Sequence, residues 1–375
     1  MAGKLRARRL TAVLGAVTAA VLVLPSSASA QPAGDHAAVR AALGQFQAAG
    51  GPGAGILAGS GTDSWTYSVG TAVINTNTPI RPADHYRIGS QTKSFTAAVV
   101  MQLVDEGKVS LDAPIEKYLP GVVDGNGYDG NTITVRQLLQ HTSGIPTNTT
   151  TAPEANPDGT YTLTALVRDG LKHSPAAAPG AEWHYSNTNY EILGLLIEKV
   201  TGSPVAQVIT SRIIQPLHLT QTTFPAAGNR AVAEPAVHGY NGVRIGPFFF
   251  WTDVLTAFEP SVYSTAGAII STEQDISTFY QALIGGKVVS PASLAEMKKA
   301  RDIAPGLGYG LGLIKHPLPC GGVAWGHDGE VTGYYTQTMV TEDGRHAAVV
   351  TNALTPLSNP VQPLYKLLDT ALCEK

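Results

Sequence analysis

Cysteine is nearly missing from this chain, with two residues in 375, and no cysteine or histidine cluster has the spacing of metal ligands. That argues against a structural zinc site, and neither a metal nor a cofactor is expected. Charge is sparse and almost balanced: 14% of residues are charged and the net charge is −3, so nothing resembles a nucleic-acid-binding face. No Gly-x-Ser-x-Gly elbow occurs, which argues against the α/β-hydrolase fold. The glycines from Gly306 to Gly312 lack the strand–loop–helix setting of a nucleotide loop and read as a strand under close packing. Internal repeats are absent, and composition does not shift sharply after the first thirty residues.

Those thirty have the form of an export leader. Lys4, Arg6, Arg8 and Arg9 form a basic region, Leu10 to Leu24 an apolar one, and Ala28-Ser29-Ala30 a small-residue cleavage site. The apolar stretch is short for a membrane span, and no later segment is apolar enough to be one. Cleavage after Ala30 removes four basic residues and no acidic ones, leaving 345 residues with a net charge of −7. A secreted protein without a membrane anchor is therefore expected, acting as a monomer. In that setting Cys320 and Cys373 invite pairing, with two buried thiols as the alternative.

Three short segments carry the chemistry. Ser90-Gln91-Thr92-Lys93 stands between the extended Tyr86-Arg87-Ile88-Gly89 and an amphipathic run from Phe95 to Lys108. A helix starting near Ser90 places Lys93 one turn on, with its amine within reach of the serine hydroxyl. The unpaired amides of a helix start also favour negative charge at that serine. Alone, the pattern also fits a helix cap beside a solvated lysine. Tyr185-Ser186-Asn187 precedes a helical pattern from Tyr190 to Thr201, and Gly326-His327-Asp328-Gly329 ends the short apolar run that starts at Val323.

Ser-x-x-Lys, Tyr-x-Asn and a basic-x-Gly triplet, in that order, resemble the penicillin-recognising serine hydrolases: DD-peptidases, class C β-lactamases and related esterases and D-amino-acid hydrolases. Ser264-Thr265-Ala266-Gly267-Ala268, Gly308-Tyr309-Gly310-Leu311-Gly312-Leu313 and Gly333-Tyr334-Tyr335 extend the likeness, towards the D-alanyl-D-alanine carboxypeptidases. The likeness implies that Ser90 forms an acyl-enzyme and that Lys93 and Tyr185 handle its proton; which of the two is the base stays open. Tyr185, flanked by Lys93 and His327, is expected to ionise more easily than a free phenol and to receive a hydrogen bond from His327. Asn187 is expected to meet the acyl-side carbonyl and Lys93. The amides of Ser90 and Glu330 are the expected oxyanion donors, with Gly329 letting the strand approach. His141 reads as architectural. The likeness also implies a Cys320–Cys373 bridge.

One pocket departs from that pattern. Where the carboxypeptidases use two hydroxyls and an arginine to hold a substrate carboxylate, this chain has Asp328, Glu330 and Ile314, with Lys315 and Arg244 as possible offsetting charges. Two like charges about 4 Å apart cost roughly 4 kcal/mol at an effective dielectric near 20. Small peptide, amide or ester substrates lacking a free carboxylate on the leaving side are therefore expected, with β-lactams disfavoured. A strict DD-carboxypeptidase, an esterase, a β-lactamase or a penicillin-binding sensor that does not turn over are the competing readings.

The fold class expected is α/β (α+β): one antiparallel sheet from residues 31–95 and 266–375, flanked by helices, with a mainly helical region, 96–265, inserted between. Strands are predicted near Gly55–Gly59, Ser64–Val69, Gly70–Ile74, Val323–His327, Tyr334–Thr341 and His346–Asn352. Helices are predicted over Phe95–Glu106, Val135–His141, Leu163–Lys172, Tyr190–Thr201, Val205–Ile214, Glu273–Ile284 and Val361–Leu372. Residues 148–159 and 225–246 read as surface loops.

Overall fold

The computed structural model describes residues 36–147, 152–245, 248–354 and 361–374; the leader and its cleavage after Ala30 lie outside them, as do part of each expected loop and the Arg244 side chain. Eight antiparallel strands make the main sheet: β1 (Gly53–Ser60), β2 (Asp63–Gly70), β3 (Arg301–Ala304), β4 (Leu307–Tyr309), β5 (Ile314–Pro317), β6 (Val323–Val331), β7 (Tyr334–Thr341) and β8 (Arg345–Thr351). Their spatial order is β2-β1-β8-β7-β6-β5-β4-β3. The two halves of the chain therefore meet inside the sheet, where Ala54 of β1 pairs with Thr351 of β8 and Ser60 with Arg345.

Alternation along the strands gives the sheet two apolar faces. On one, Ile56, Met339 and Val349 pack against Val39, Leu43 and Phe46 of helix α1 (Ala37–Gly50) and against Leu364, Leu367 and Leu368 of the C-terminal helix. On the other, Trp325, Val340 and Val350 meet Ile276, Phe279 and Leu283 of the helix Glu273–Ile284. With both faces covered, every residue of β7 is buried. Helix α2 (Thr92–Asp105) is enclosed, with Thr92 through Met101 all buried, and Phe95 stacks on Phe279 at 3.7 Å between ring centroids. Helix α3 (Asn187–Thr201) packs across α2. Cys320, in the turn before β6, and Cys373, at the end of the C-terminal helix, form a disulfide with Cα atoms 5.6 Å apart.

The structure departs from the expected elements at a few places. Gly70–Ile74 is not a strand beyond Gly70, where φ is +74°; the Thr71 amide bonds back to the Pro52 carbonyl and its hydroxyl to the Val73 carbonyl, so the chain leaves the sheet. The helix predicted over Val205–Ile214 changes pitch, with a π-turn over Thr210–Ile214. The expected loop 225–246 includes the strand Tyr240–Ile245, paired with Phe248–Asp253 and running parallel to Ala353–Leu354. Only Leu307–Tyr309 of the glycine-rich run is strand.

Candidate active site

Ser90 owes its position to two backbones pressed together. Gly89, with φ at +53°, starts a 3-10 turn over Gly89–Gln91 that runs into α2. A Cβ there would lie 3.0 Å from the Glu330 amide nitrogen, and a Cβ on Gly329 would fall 1.9 Å from the Ile88 carbonyl oxygen. Glycine at both positions lets β6 lie directly against the turn that carries Ser90. The backbone at Glu330 thereby lies against the turn that carries Ser90.

Lys93 follows one turn into α2 and is fully buried. Its Nζ lies 3.0 Å from Ser90 Oγ, 2.8 Å from Asn187 Oδ1 and 2.8 Å from the Ala266 carbonyl oxygen. Two of these partners can only accept, whereas the serine hydroxyl can also donate. A neutral amine fits the arrangement: its two protons go to Asn187 and Ala266, and its lone pair faces the Ser90 proton. Burial drives the Lys93 pKa down to about 7, against the pull of Asp328 and Glu191.

Tyr185 is hydrogen-bonded to Ser90. Its ring lies under Lys93, 4.7 Å from Nζ, and 4.4 Å from the ring of His141. The expected easy ionisation is not found. Burial first, then the negative charge of Asp328, push the Tyr185 phenol well above its ordinary pKa, more than its bond to Ser90 lowers it. In this state Tyr185 is a proton holder. His141 is held neutral by burial and by the charges of Lys93 and His327, and its Nδ1 accepts from the Ser186 amide at 3.2 Å and Asn189 Nδ2 at 3.0 Å. It anchors the Tyr185–Asn187 segment where α3 begins.

The ring of His327 is also turned away from its expected partner. Nε2 pairs with the Tyr309 hydroxyl at 2.9 Å, while Nδ1 donates to the Asp328 carbonyl at 2.7 Å and lies 3.1 Å from its carboxylate. Both nitrogens are thus engaged, and the ring stands 6.3 Å from that of Tyr185. Burial raises the Asp328 carboxyl, but its bond to His327 and the charges of His327 and Lys93 leave it below the ordinary value. Glu330 is exposed, and its carboxyl is raised by partial loss of water and by Asp328. Lys315 lines a cleft of about 440 Å³ with Asp302, Gly308 and Pro317; the basic side chains acting on Asp328 are His327 and Lys93.

The sequence reading passed over three contributors. The Ala266 carbonyl is invisible to residue-type reasoning, and Tyr309 lay within a glycine-rich run that was read as packing and as part of the family likeness, with no role given to Tyr309 itself. Glu191 carried a usable signal, because it lies four residues after Asn187 and so on the same face of α3.

The chain is similar to known proteins over most of its length. The β-lactamase family pattern covers residues 39–371. A D-stereospecific amidohydrolase from Streptomyces sp. is similar in structure, with 41% identity, a TM-score of 0.80, and coverage of 90% of this chain and 99% of that one. The D-amino acid amidase of Ochrobactrum anthropi SV3 superimposes with a TM-score of 0.77 at 26% identity over 89% and 97% of the two chains. Among curated proteins, protein flp of Staphylococcus aureus is 35% identical over 153 residues, which is 40% of this chain and 30% of the relative. This chain thus matches less than a third of that relative's length. Unguisins hydrolase ungD' of Aspergillus campestris is 28% identical over 345 residues, covering 86% of this chain and 62% of that protein.

Proposed function

The chain belongs to the β-lactamase family, as a serine hydrolase, and from this premise we propose that it is a secreted D-stereospecific amidohydrolase working through an acyl-enzyme on Ser90. The observation that carries this reading is the contact set of Lys93, which leaves a lone pair for the Ser90 proton while Tyr185 holds a proton of its own on the same oxygen.

The steps follow from those positions. Ser90 Oγ bonds to the substrate carbonyl carbon as its proton passes to Lys93 Nζ. The developing oxyanion is held by the amides of Ser90 and Glu330. Collapse breaks the bond to the leaving amine or alcohol, which takes the Tyr185 proton, and the ammonium of Lys93 then returns a proton to the Tyr185 phenolate beside it. Water then enters by the reverse path and releases the acyl group. Asn187, whose Oδ1 accepts from Lys93, has its amide protons available to the acyl side.

Specificity on the leaving side follows from Asp328 and Glu330. The Glu330 carboxyl is raised by loss of water and by Asp328, and this disfavours a substrate carboxylate there. Amides and esters of D-amino acids are the substrate class this supports, in keeping with the names of the amidohydrolase and amidase it resembles. Export is supported by the basic and apolar leader and by the disulfide, which suits an oxidising compartment. Amino-terminal sequencing of protein from the medium is expected to start at Gln31.

Intact-protein mass after fluorophosphonate treatment tests the nucleophile. One adduct is expected on wild type and none on Ser90→Ala; labelling of the variant would end the reading. Faster hydrolysis of a D-Ala-D-Ala peptide than of a D-amino-acid amide would overturn the leaving-side assignment.

A further inference from the structure

Glu191 is a buried carboxyl that the steps above do not use. It is 4% exposed and lies one helical turn beyond Asn187 on α3. Together with Asn187, Tyr263, Asp169, Val262 and Leu166 it lines a cavity of about 10 Å³, enough for one water-sized group. One wall, Asn187, is shared with the active site. Asn187 is bonded to Lys93, and the Tyr263 hydroxyl lies within electrostatic reach of both Glu191 and Glu330.

Charge is unbalanced at this spot. Asp169 accepts from Lys172 Nζ and from the Ala152 amide, both at 3.0 Å. Glu191 is hydrogen-bonded to Thr188, and the basic group acting on it is Lys93, whose Nζ is taken up by Ser90, Asn187 and Ala266 instead. Burial outweighs the pull of Lys93 and pushes the Glu191 carboxyl up to about 8, so that it holds a proton at neutral pH. A buried carboxyl beside a cavity of this size is suited to a small cation that arrives with the ligand.

We propose that Glu191 is a specificity residue, receiving through the cavity beside Asn187 the free ammonium group of the acyl-side D-residue. The proposal rests on the acyl-enzyme reading above, and it narrows the substrates to D-aminoacyl amides and esters with an unblocked amine. Binding converts a neutral carboxylic acid into a carboxylate paired with an ammonium, and the proton is released to solvent. N-acetylated and 2-hydroxy analogues cannot make that pair.

The test compares kcat/KM for a D-amino-acid amide, its N-acetyl derivative and the matching D-2-hydroxy-acid amide. Wild type is expected to prefer the free amine by about 10- to 100-fold, the range of a charge-assisted hydrogen bond. In Glu191→Gln that preference is expected to fall to near unity. Equal turnover of all three substrates by wild type overturns the proposal, and this holds even if the variant does not fold. Equal losses on all substrates in Glu191→Gln also overturn it, as does loss of the preference in Glu330→Gln instead, which would put the ammonium on β6. Absence of any fluorophosphonate adduct on wild-type Ser90 would bring down the acyl-enzyme reading; an adduct with no amine preference removes the Glu191 assignment alone.

Discussion

At the residue scale the central fact is a reversal of roles between two neighbours. Lys93 is brought down to about 7 by burial, while Tyr185 is pushed the other way by the same burial. Protonating Lys93 removes the lone pair that faces Ser90. On a substrate without a free amine, which does not engage Glu191, kcat/KM is therefore expected to fall roughly tenfold per pH unit below about pH 7 and to level off above it; a rate that held steady down to pH 5 would show that Lys93 is not the base. Tyr185→Phe removes the proton destined for the leaving group. Its kcat is expected to drop about 10²- to 10⁴-fold on amides and much less on esters with good leaving groups, which need little protonation. An equal drop on both would point to packing instead. On the leaving side, Asp328→Asn with Glu330→Gln is expected to raise the rate on free-acid D-Ala-D-Ala peptides relative to amides by tens- to hundreds-fold, from the like-charge repulsion removed.

At the scale of elements, the contact between the Gly89 turn and β6 matters most. Gly89→Ala adds a Cβ 3.0 Å from Glu330 backbone atoms and imposes a left-handed conformation that costs an L-residue about 1–2 kcal/mol. A lowered Tm together with slower fluorophosphonate labelling is expected, because the strain is relieved by parting the two amide donors; labelling at the wild-type rate would mean the turn shifts as a unit. This contact was foreshadowed only in part by the sequence. The serine, lysine, tyrosine and asparagine were legible because each lies at a fixed spacing next to a strong helical or apolar pattern. Strands β6, β7 and β8 were legible because their apolar residues alternate or run on unbroken. Strands β3 and β5 were not: they are four residues each, and one ends in Pro317. Tyr240–Ile245 was read as loop although it pairs along its length with the adjacent Phe248–Asp253; its second partner, Ala353–Leu354, is more than a hundred residues away and leaves no local pattern. Side-chain direction was equally hidden. Sequence could set His327 near the site, but only the approach of β4 determines that its ring meets Tyr309.

At the scale of the whole molecule, Cys320 and Cys373 close a loop of 53 residues that ties the C-terminal helix to the sheet. By chain entropy, opening a loop of this length costs about 4 kcal/mol of unfolding free energy. The Cys320→Ser/Cys373→Ser pair is expected to show a loss of that order in urea unfolding; a change below about 1 kcal/mol would mean that packing of Leu364, Leu367 and Leu368 alone secures the helix. The topology carries a larger consequence. Strand β1 neighbours β8, and the Ser90 turn leans on Glu330, so elements made first wait for elements made last. Throughout translation the nascent polypeptide carries its reactive hydroxyl without the surroundings that make it reactive. The site is thereby assembled only when the final strands arrive.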